Sequence, residues 1–234
     1  MNIKKHIPNA ITCLNLVAGC IACTEALCGN FEASLLWIIA GAGFDFMDGL
    51  MARMLKAYSE IGKELDSLAD VVCFGVAPSM MVYSLLLQVC PADGVASVLP
   101  YLAFVIAAFS ALRLAKFNLD TRQTVSFIGL PVPAHALFWA PLTVVLSEVL
   151  TSPSVEAAVC IALLAILSSL LLVSEIKMFS LKAKNLAWKG NELRFIMVAS
   201  AAALITIFGY LGVSGSILLY IILSLLPKKS LTHA

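Results

Sequence analysis

Eight apolar runs, each close to the length that crosses a bilayer as a helix, limit what this chain can fold into more than any other feature. They are approximately Ile7–Cys28, Phe31–Met54, Leu65–Val89, Gly94–Leu114, Leu130–Val149, Val155–Val173, Phe195–Gly209 and Leu211–Leu226, the last two being short. The chain is 61% hydrophobic and 12% charged, whereas soluble domains are about 25% charged. The expected fold is therefore all-α: a polytopic integral membrane bundle of about eight transmembrane helices, each satisfying its backbone polar groups internally. No internal repeat and no Pro/Gly/Ser-rich linker divides the sequence, so residues 1–234 read as a single membrane domain.

The positive charges set the expected sidedness. All 15 Lys and Arg fall before the first run, after the last, or in alternate connections: Lys4 and Lys5; Arg53, Lys56 and Lys63; Arg113, Lys116 and Arg122; Lys177, Lys182, Lys184, Lys189 and Arg194; Lys228 and Lys229. The opposite connections, near Asn30, Asp93, Thr151 to Pro153 and Tyr210, carry none. The positive-inside rule then puts both termini and the charged loops in the cytoplasm, and a six-span path without the last pair gives the same result. The stretch Glu175 to Arg194 mixes Lys with Phe179, Leu181, Leu186 and Trp188. It reads either as a surface-lying amphipathic segment or as a basic topology-setting loop. A formal net charge of +1, with no run of like charges, excludes nucleic acid as a partner.

The seven cysteines, Cys13, Cys20, Cys23, Cys28, Cys73, Cys90 and Cys160, sit mostly in apolar runs. The one CxxC, Cys20 to Cys23, lacks a second pair to complete a zinc site, so they read as small packing residues. Leu16 to Cys20, LVAGC, is also close to a lipoprotein cleavage box, but Pro8, Asn9, Thr12 and Asn15 break the apolar core such a signal needs.

The chemistry lies in DFMDGLMARMLKAYSEIGKELDSLAD, from Asp45 to Asp70. Asp45 and Asp48 lie three apart and Asp66 and Asp70 four apart, so each pair projects from one face of a helix. A carboxylate in a spanning helix costs about 2.5–3.5 kcal/mol at mid-membrane and less near the interface. Salt bridges to Arg53, Lys56 and Lys63 would leave a surplus, because Glu60 and Glu64 bring the total to six acids against three bases. One or two divalent cations settle the imbalance, and an all-oxygen donor set suits Mg2+ or Mn2+ better than zinc. Gly49, Ala52 and Gly62 leave helix surface uncovered for a ligand, and Arg53 follows Gly49 by one turn, placed for a phosphate oxygen. Together these residues describe metal-assisted phosphoryl chemistry.

The spacing DxxDGxxARx8GxxxDxxxD, over Asp45, Asp48, Gly49, Ala52, Arg53, Gly62, Asp66 and Asp70, resembles the signature of the CDP-alcohol phosphatidyltransferase family at every fixed position. Further segments, PNAITCLNLVAG from Pro8, DVVCFGVAPS from Asp70, ALRLAKFN from Ala111, FIGLPVPAHA from Phe127 and VSEIKMFSLK from Val173, are similar to its phosphatidylserine synthase branch. The resemblance implies a six-helix core over about 1–182 with an added C-terminal helical pair at about 195–226. It implies two metal ions held by Asp45, Asp48 and Asp66, with Asp70 completing the second site and serving as general base. It also implies CDP-diacylglycerol contacts at Asn9, Thr12, Gly49, Arg53 and Ser59, a homodimer, and an active site on the cytoplasmic face of the cell (inner) membrane. The implied reaction passes the phosphatidyl group to L-serine and releases CMP.

Serine brings a carboxylate, and the next basic cluster offers Arg113, Lys116 and Asn118, with Arg113 preferred for its two-pronged guanidinium. The same cluster also reads as topology-setting or headgroup-binding. His135 reads as a polar contact in the acceptor pocket or as a packed helix histidine. Two alternatives to serine transfer remain: another acceptor, such as glycerol phosphate or inositol phosphate, and a divalent-cation transporter using the acids as a permeation site.

Overall fold

The structure is a computed structural model that describes residues 6–91, 95–120, 127–178 and 191–225. Lys4, Lys5, Asp93, Arg122, Lys182, Lys184, Lys189, Lys228, Lys229 and His233 lie outside those residues, as does most of the Glu175 to Arg194 stretch.

Among the described residues the chain is a bundle of helices: α1 (His6–Leu27), α2 (Phe31–Met54), α3 (Glu60–Asp70), α4 (Ala77–Val89), α5 (Phe104–Leu119), α6 (Val132–Val149), α7 (Val155–Leu172), α8 (Glu192–Phe208) and α9 (Tyr210–Leu225). A π-helical segment, Val71–Val76, joins α3 to α4 without a break, and the 3-10 segment Val95–Ala103 runs into α5. Among the described residues, six helices are long and apolar enough to cross a membrane: His6–Leu27, Phe31–Met54, Glu60–Val89, Ala96–Leu119, Val132–Val149 and Val155–Leu172. The protein is therefore an integral, polytopic membrane protein. The only strands among the described residues are β1 (Phe127–Ile128) and β2 (Lys177–Met178), which pair antiparallel and tie the start of α6 to the chain beyond α7.

Small residues bring α1 and α2 together. The buried positions of α1 include Pro8, Thr12, Asn15, Gly19, Ala22 and Ala26, alternately four and three apart, which is a straight seam along one helix face. On α2 the facing seam runs Phe31, Ser34, Ile38 and Gly41, and the same rhythm reaches Asp45 and Asp48. Ser34 fixes the crossing by donating to Ala22 O at 2.8 Å. A Cβ on Gly41 would stand 2.3 Å from Cys73 Sγ, so α2 and the π-helical segment meet there only because Gly41 has no side chain.

The carboxylates thus occupy seam positions at the end of the α1–α2 pair. The α2 helix stops just beyond them: Lys56 takes a left-handed conformation (φ 49), Ala57 N donates to Ala52 O and Lys56 N to Arg53 O. This is a Schellman closure with lysine where glycine is usual. Ser59 then caps α3 by accepting from Gly62 N at 3.1 Å, and the chain returns against α1.

The aliphatic core lies further along the bundle, around Phe74, Met81, Leu85 and Leu86 of the third span and Trp139 of α6, all fully buried. The α8–α9 pair packs on α6, where Ser214 donates to Phe138 O at 2.8 Å. Leu16 to Cys20 lies in the unbroken middle of α1. All seven cysteines are free, and Cys73 and Cys90 are buried.

Candidate active site

The α2 seam delivers Asp45 and Asp48, and α3, arriving from the opposite direction, delivers Asp66. One oxygen from each of the three lies within 4.8 Å of the others. Such a gathering of like charges needs a counter-charge. The nearby bases do not supply it: Arg53 Nε donates to Gly49 O at 3.0 Å, and Lys63 Nζ reaches Asn118 O at 3.4 Å. Asp66 Oδ1 is buried with no hydrogen-bond partner among the described residues. Three converging carboxylates with one orphaned oxygen fit a hard divalent cation, and salt-bridge neutralisation is set aside.

Asp70, one turn beyond Asp66 on α3, stands apart from the trio. It is buried, and its Oδ1 accepts from Asn15 Nδ2 at 3.3 Å. Thr12, one turn earlier on α1, donates to Asp48 Oδ2 at 2.6 Å. The α1 helix therefore holds one oxygen on each of two carboxylates.

Beside the trio opens a cleft lined by Pro8, Asn9, Thr12, Asp48, Gly49, Ala52, Ala57, Tyr58, Ser59, Gly62, Lys63 and Asp66. Of the five residues expected to contact CDP-diacylglycerol, Asn9, Thr12, Gly49 and Ser59 line it. Gly49 opens onto it freely, since an added Cβ would find nothing within 4 Å. Arg53 is exposed outside the lining, its guanidinium turned back along α2. Tyr58 and Lys63 line the cleft and were not singled out from the sequence as nucleotide contacts.

The acceptor cluster divides. Arg113 is 7% exposed, lies 4.8 Å from the Phe117 ring centroid, and buries an Nη2 that has no hydrogen-bond partner among the described residues. Together with Lys116 it lines a small pocket closed by Asp120, Ile128, Leu172, Val173, Ser174 and Glu175. Arg113 lies within electrostatic range of both Asp70 and Tyr220. Asn118 is not in that lining; its Nδ2 donates to Ser67 Oγ at 2.9 Å and braces α5 against α3. His135 is fully buried between α6 and α7, with Nε2 3.0 Å from Ser168 Oγ, which also accepts from Trp139 Nε1 at 3.0 Å. It lies in neither lining, which accords with a packed histidine.

Comparison with known proteins agrees with this geometry. Residues 5–174 match the model of the CDP-alcohol phosphatidyltransferase family. The chain is 42% identical over 128 residues to a Bacillus subtilis protein named CDP-diacylglycerol–serine O-phosphatidyltransferase, covering 55% of this chain and 70% of that one. A Methanocaldococcus jannaschii protein of the same name is 34% identical over 171 residues, covering 73% of this chain and 72% of its own. A Mycobacterium leprae protein, again so named, is 41% identical over 140 residues, but the match spans only 44% of its length. The chain belongs to the CDP-alcohol phosphatidyltransferase family.

Proposed function

We propose that this protein transfers the phosphatidyl group of CDP-diacylglycerol to the hydroxyl of L-serine, giving phosphatidylserine and CMP. The observation that carries the reading is the convergence of Asp45, Asp48 and Asp66 beside a cleft lined by Asn9, Thr12, Gly49 and Ser59. The shared name of the relatives supports serine as the acceptor.

Asp45, Asp48 and Asp66, completed by Asp70, would hold two Mg2+ or Mn2+ ions, which would supply positive charge to neutralise the pyrophosphate and the departing CMP. Asn9, Thr12, Gly49, Arg53 and Ser59 hold the CDP moiety, Arg53 by swinging from its position along α2. Asp70 takes the serine hydroxyl proton as that oxygen attacks the phosphorus nearest the lipid. A new serine–phosphorus bond forms, the bond from that phosphorus to the bridging oxygen breaks, and CMP leaves with the electron pair. Arg113 binds the serine carboxylate, with Lys116 in the same pocket, while Asn118, also expected there from the sequence, braces α5 against α3.

In the same reading α8 and α9 also span the membrane, giving eight spans in one domain over 1–234, the family core over about 1–182 and the added pair at about 195–226. Both termini and the active site face the cytoplasm at the inner membrane, and the protein works as a homodimer. The test supplies purified protein with CDP-diacylglycerol and serine, with and without Mg2+ or Mn2+. CMP and phosphatidylserine are expected only with metal. CMP release on glycerol phosphate or inositol phosphate but not on serine would reassign the acceptor.

A further inference from the structure

Asn15 is a fully buried amide in the first spanning helix, and its surroundings single it out. Its Nδ2 lies 3.3 Å from Asp70 Oδ1, while its own Oδ1 has no hydrogen-bond partner among the described residues. With Asp70 ionised, as its role as base requires, the reverse orientation would set two acceptors face to face, so the donor points at Asp70. The amide also has little freedom to turn away. A Cβ on Gly41 would lie 2.9 Å from Asn15 Oδ1, and one on Gly19 would lie 2.7 Å from Cys73 Cα. Hence α2 closes on this side chain at Gly41, and the π-helical segment after Asp70 packs tightly on α1 one turn further along.

Helix packing alone does not call for an amide here. Leucine is nearly isosteric with asparagine and would fill the same seam without burying an orphaned acceptor, which costs about 1–3 kcal/mol. The feature that asparagine adds is a hydrogen bond to one particular oxygen of Asp70. Resting on the transferase reading above, we infer that Asn15 is a positioning residue for Asp70: it engages Oδ1, fixes the carboxylate's rotation, and leaves Oδ2 as the oxygen that faces the reaction. A carboxylate without that partner rotates about its last bond and presents the productive oxygen only part of the time. The loss therefore falls on turnover and not on binding of the nucleotide lipid.

The full chain tests this in detergent or lipid nanodiscs, with Asn15→Leu, Asp70→Asn and the double variant. CMP release should fall about 10- to 100-fold in kcat for Asn15→Leu, with the KM for CDP-diacylglycerol within about threefold of wild type. In the Asp70→Asn background the same change should add less than about twofold, because the group it positions is already gone. The Mn2+ ion held by Asp45, Asp48 and Asp66, followed by electron paramagnetic resonance, should bind within about threefold of wild type in Asn15→Leu; loss of that ion would make Asn15 part of the metal scaffold and overturn the inference. Full additivity with Asp70→Asn, or a KM effect equal to the kcat effect, would overturn it as well. Asn15→Ser, too short to reach Asp70, gives the same kinetic split if the leucine variant fails to fold. A wild type that releases CMP with another alcohol but not with serine breaks the acceptor reading alone, and the cycle is then measured on that alcohol.

Discussion

The carboxylate cleft and the Arg113 pocket are built in opposite ways. The cleft draws on α1, α2 and α3, consecutive in the chain, and its groups sit at helical spacings: Asn9, Thr12 and Asn15 on α1, Asp45 and Asp48 on α2, Asp66 and Asp70 on α3. The pocket assembles the end of α5, the end of α7, β1 and the chain leading to β2, with Tyr220 of α9 in electrostatic range. The shared chemistry of a family is held by neighbouring helices whose register encodes convergence. The pocket proposed to choose the acceptor is held by segments that meet only when the whole bundle has closed.

If that division is right, damage to the cleft abolishes turnover whatever the acceptor, and damage to the pocket changes only which acceptor is used. The largest effect is expected from Asp→Asn at Asp45, Asp48 or Asp66, each removing a charged ligand. CMP release should drop by about a thousandfold or more, and excess chelator should do the same to wild type. Undiminished activity in chelator would refute the metal centre.

Next in size, Asp70→Asn should lower kcat by about 10²- to 10⁴-fold while CDP-diacylglycerol binding, measured by titration, stays within a few-fold of wild type. Equal losses in both would make Asp70 a ligand only.

In the pocket, Arg113→Ala should raise the serine requirement about 10- to 100-fold, equivalent to about 1.4–2.8 kcal/mol, with the CDP-diacylglycerol dependence unchanged. Arg113→Lys should recover part of this, since an ammonium lacks the fork. Ethanolamine, which has no carboxylate for Arg113, should be a poor acceptor. Steady-state kinetics varying each substrate in turn would decide the matter, and an unchanged serine dependence in Arg113→Ala would move the carboxylate site to Lys116.

The smallest effects separate two glycines by thermal unfolding. Gly41→Ala forces a Cβ to 2.3 Å from Cys73 Sγ and should cost about 1–3 kcal/mol. Gly49→Ala meets nothing within 4 Å and should leave stability unchanged or raised by up to about 1 kcal/mol, while weakening CDP-diacylglycerol binding. Equal melting temperatures would place the close helix approach elsewhere.

The same contrast explains what was legible in the sequence. Hydropathy located every helix to within a few residues, except that α3 begins at Glu60, five residues before its apolar run, and α5 continues to Leu119, five residues past its own, because polar turns extend both helices. Carboxylate spacing carried the metal cluster. Asn15 gave only a faint signal, a third polar residue at three-residue intervals after Asn9 and Thr12, which read as an interruption of an apolar run and not as a stripe. Nothing local marks the β1–β2 pairing, since two-residue strands have no periodicity. Gly129, at φ 76 with room for a Cβ only 2.4 Å from Leu172 O, is its single clue. The orientation of Arg53 and the bracing role of Asn118 depend on side-chain partners that spacing does not specify.

The π-helical segment Val71–Val76 sits immediately after Asp70, and a π turn holds one residue more than an α turn. Deleting a single residue there would restore ordinary helix, and the span would remain long enough, since its 30 residues rise about 45 Å against a hydrocarbon core of about 30 Å. Because the π turn holds that extra residue within a single turn, removing it would leave Asp66 and Asp70 on nearly the same face relative to everything that follows. The bilayer sets only a minimum length for this span, whereas the carboxylates fix the face that its first turns present to α1 and α2. A one-residue gap within Val71–Val76 in an alignment is therefore compatible with an intact carboxylate cluster, whereas the same gap in an α-helical stretch of the span would turn the cluster by about 100°.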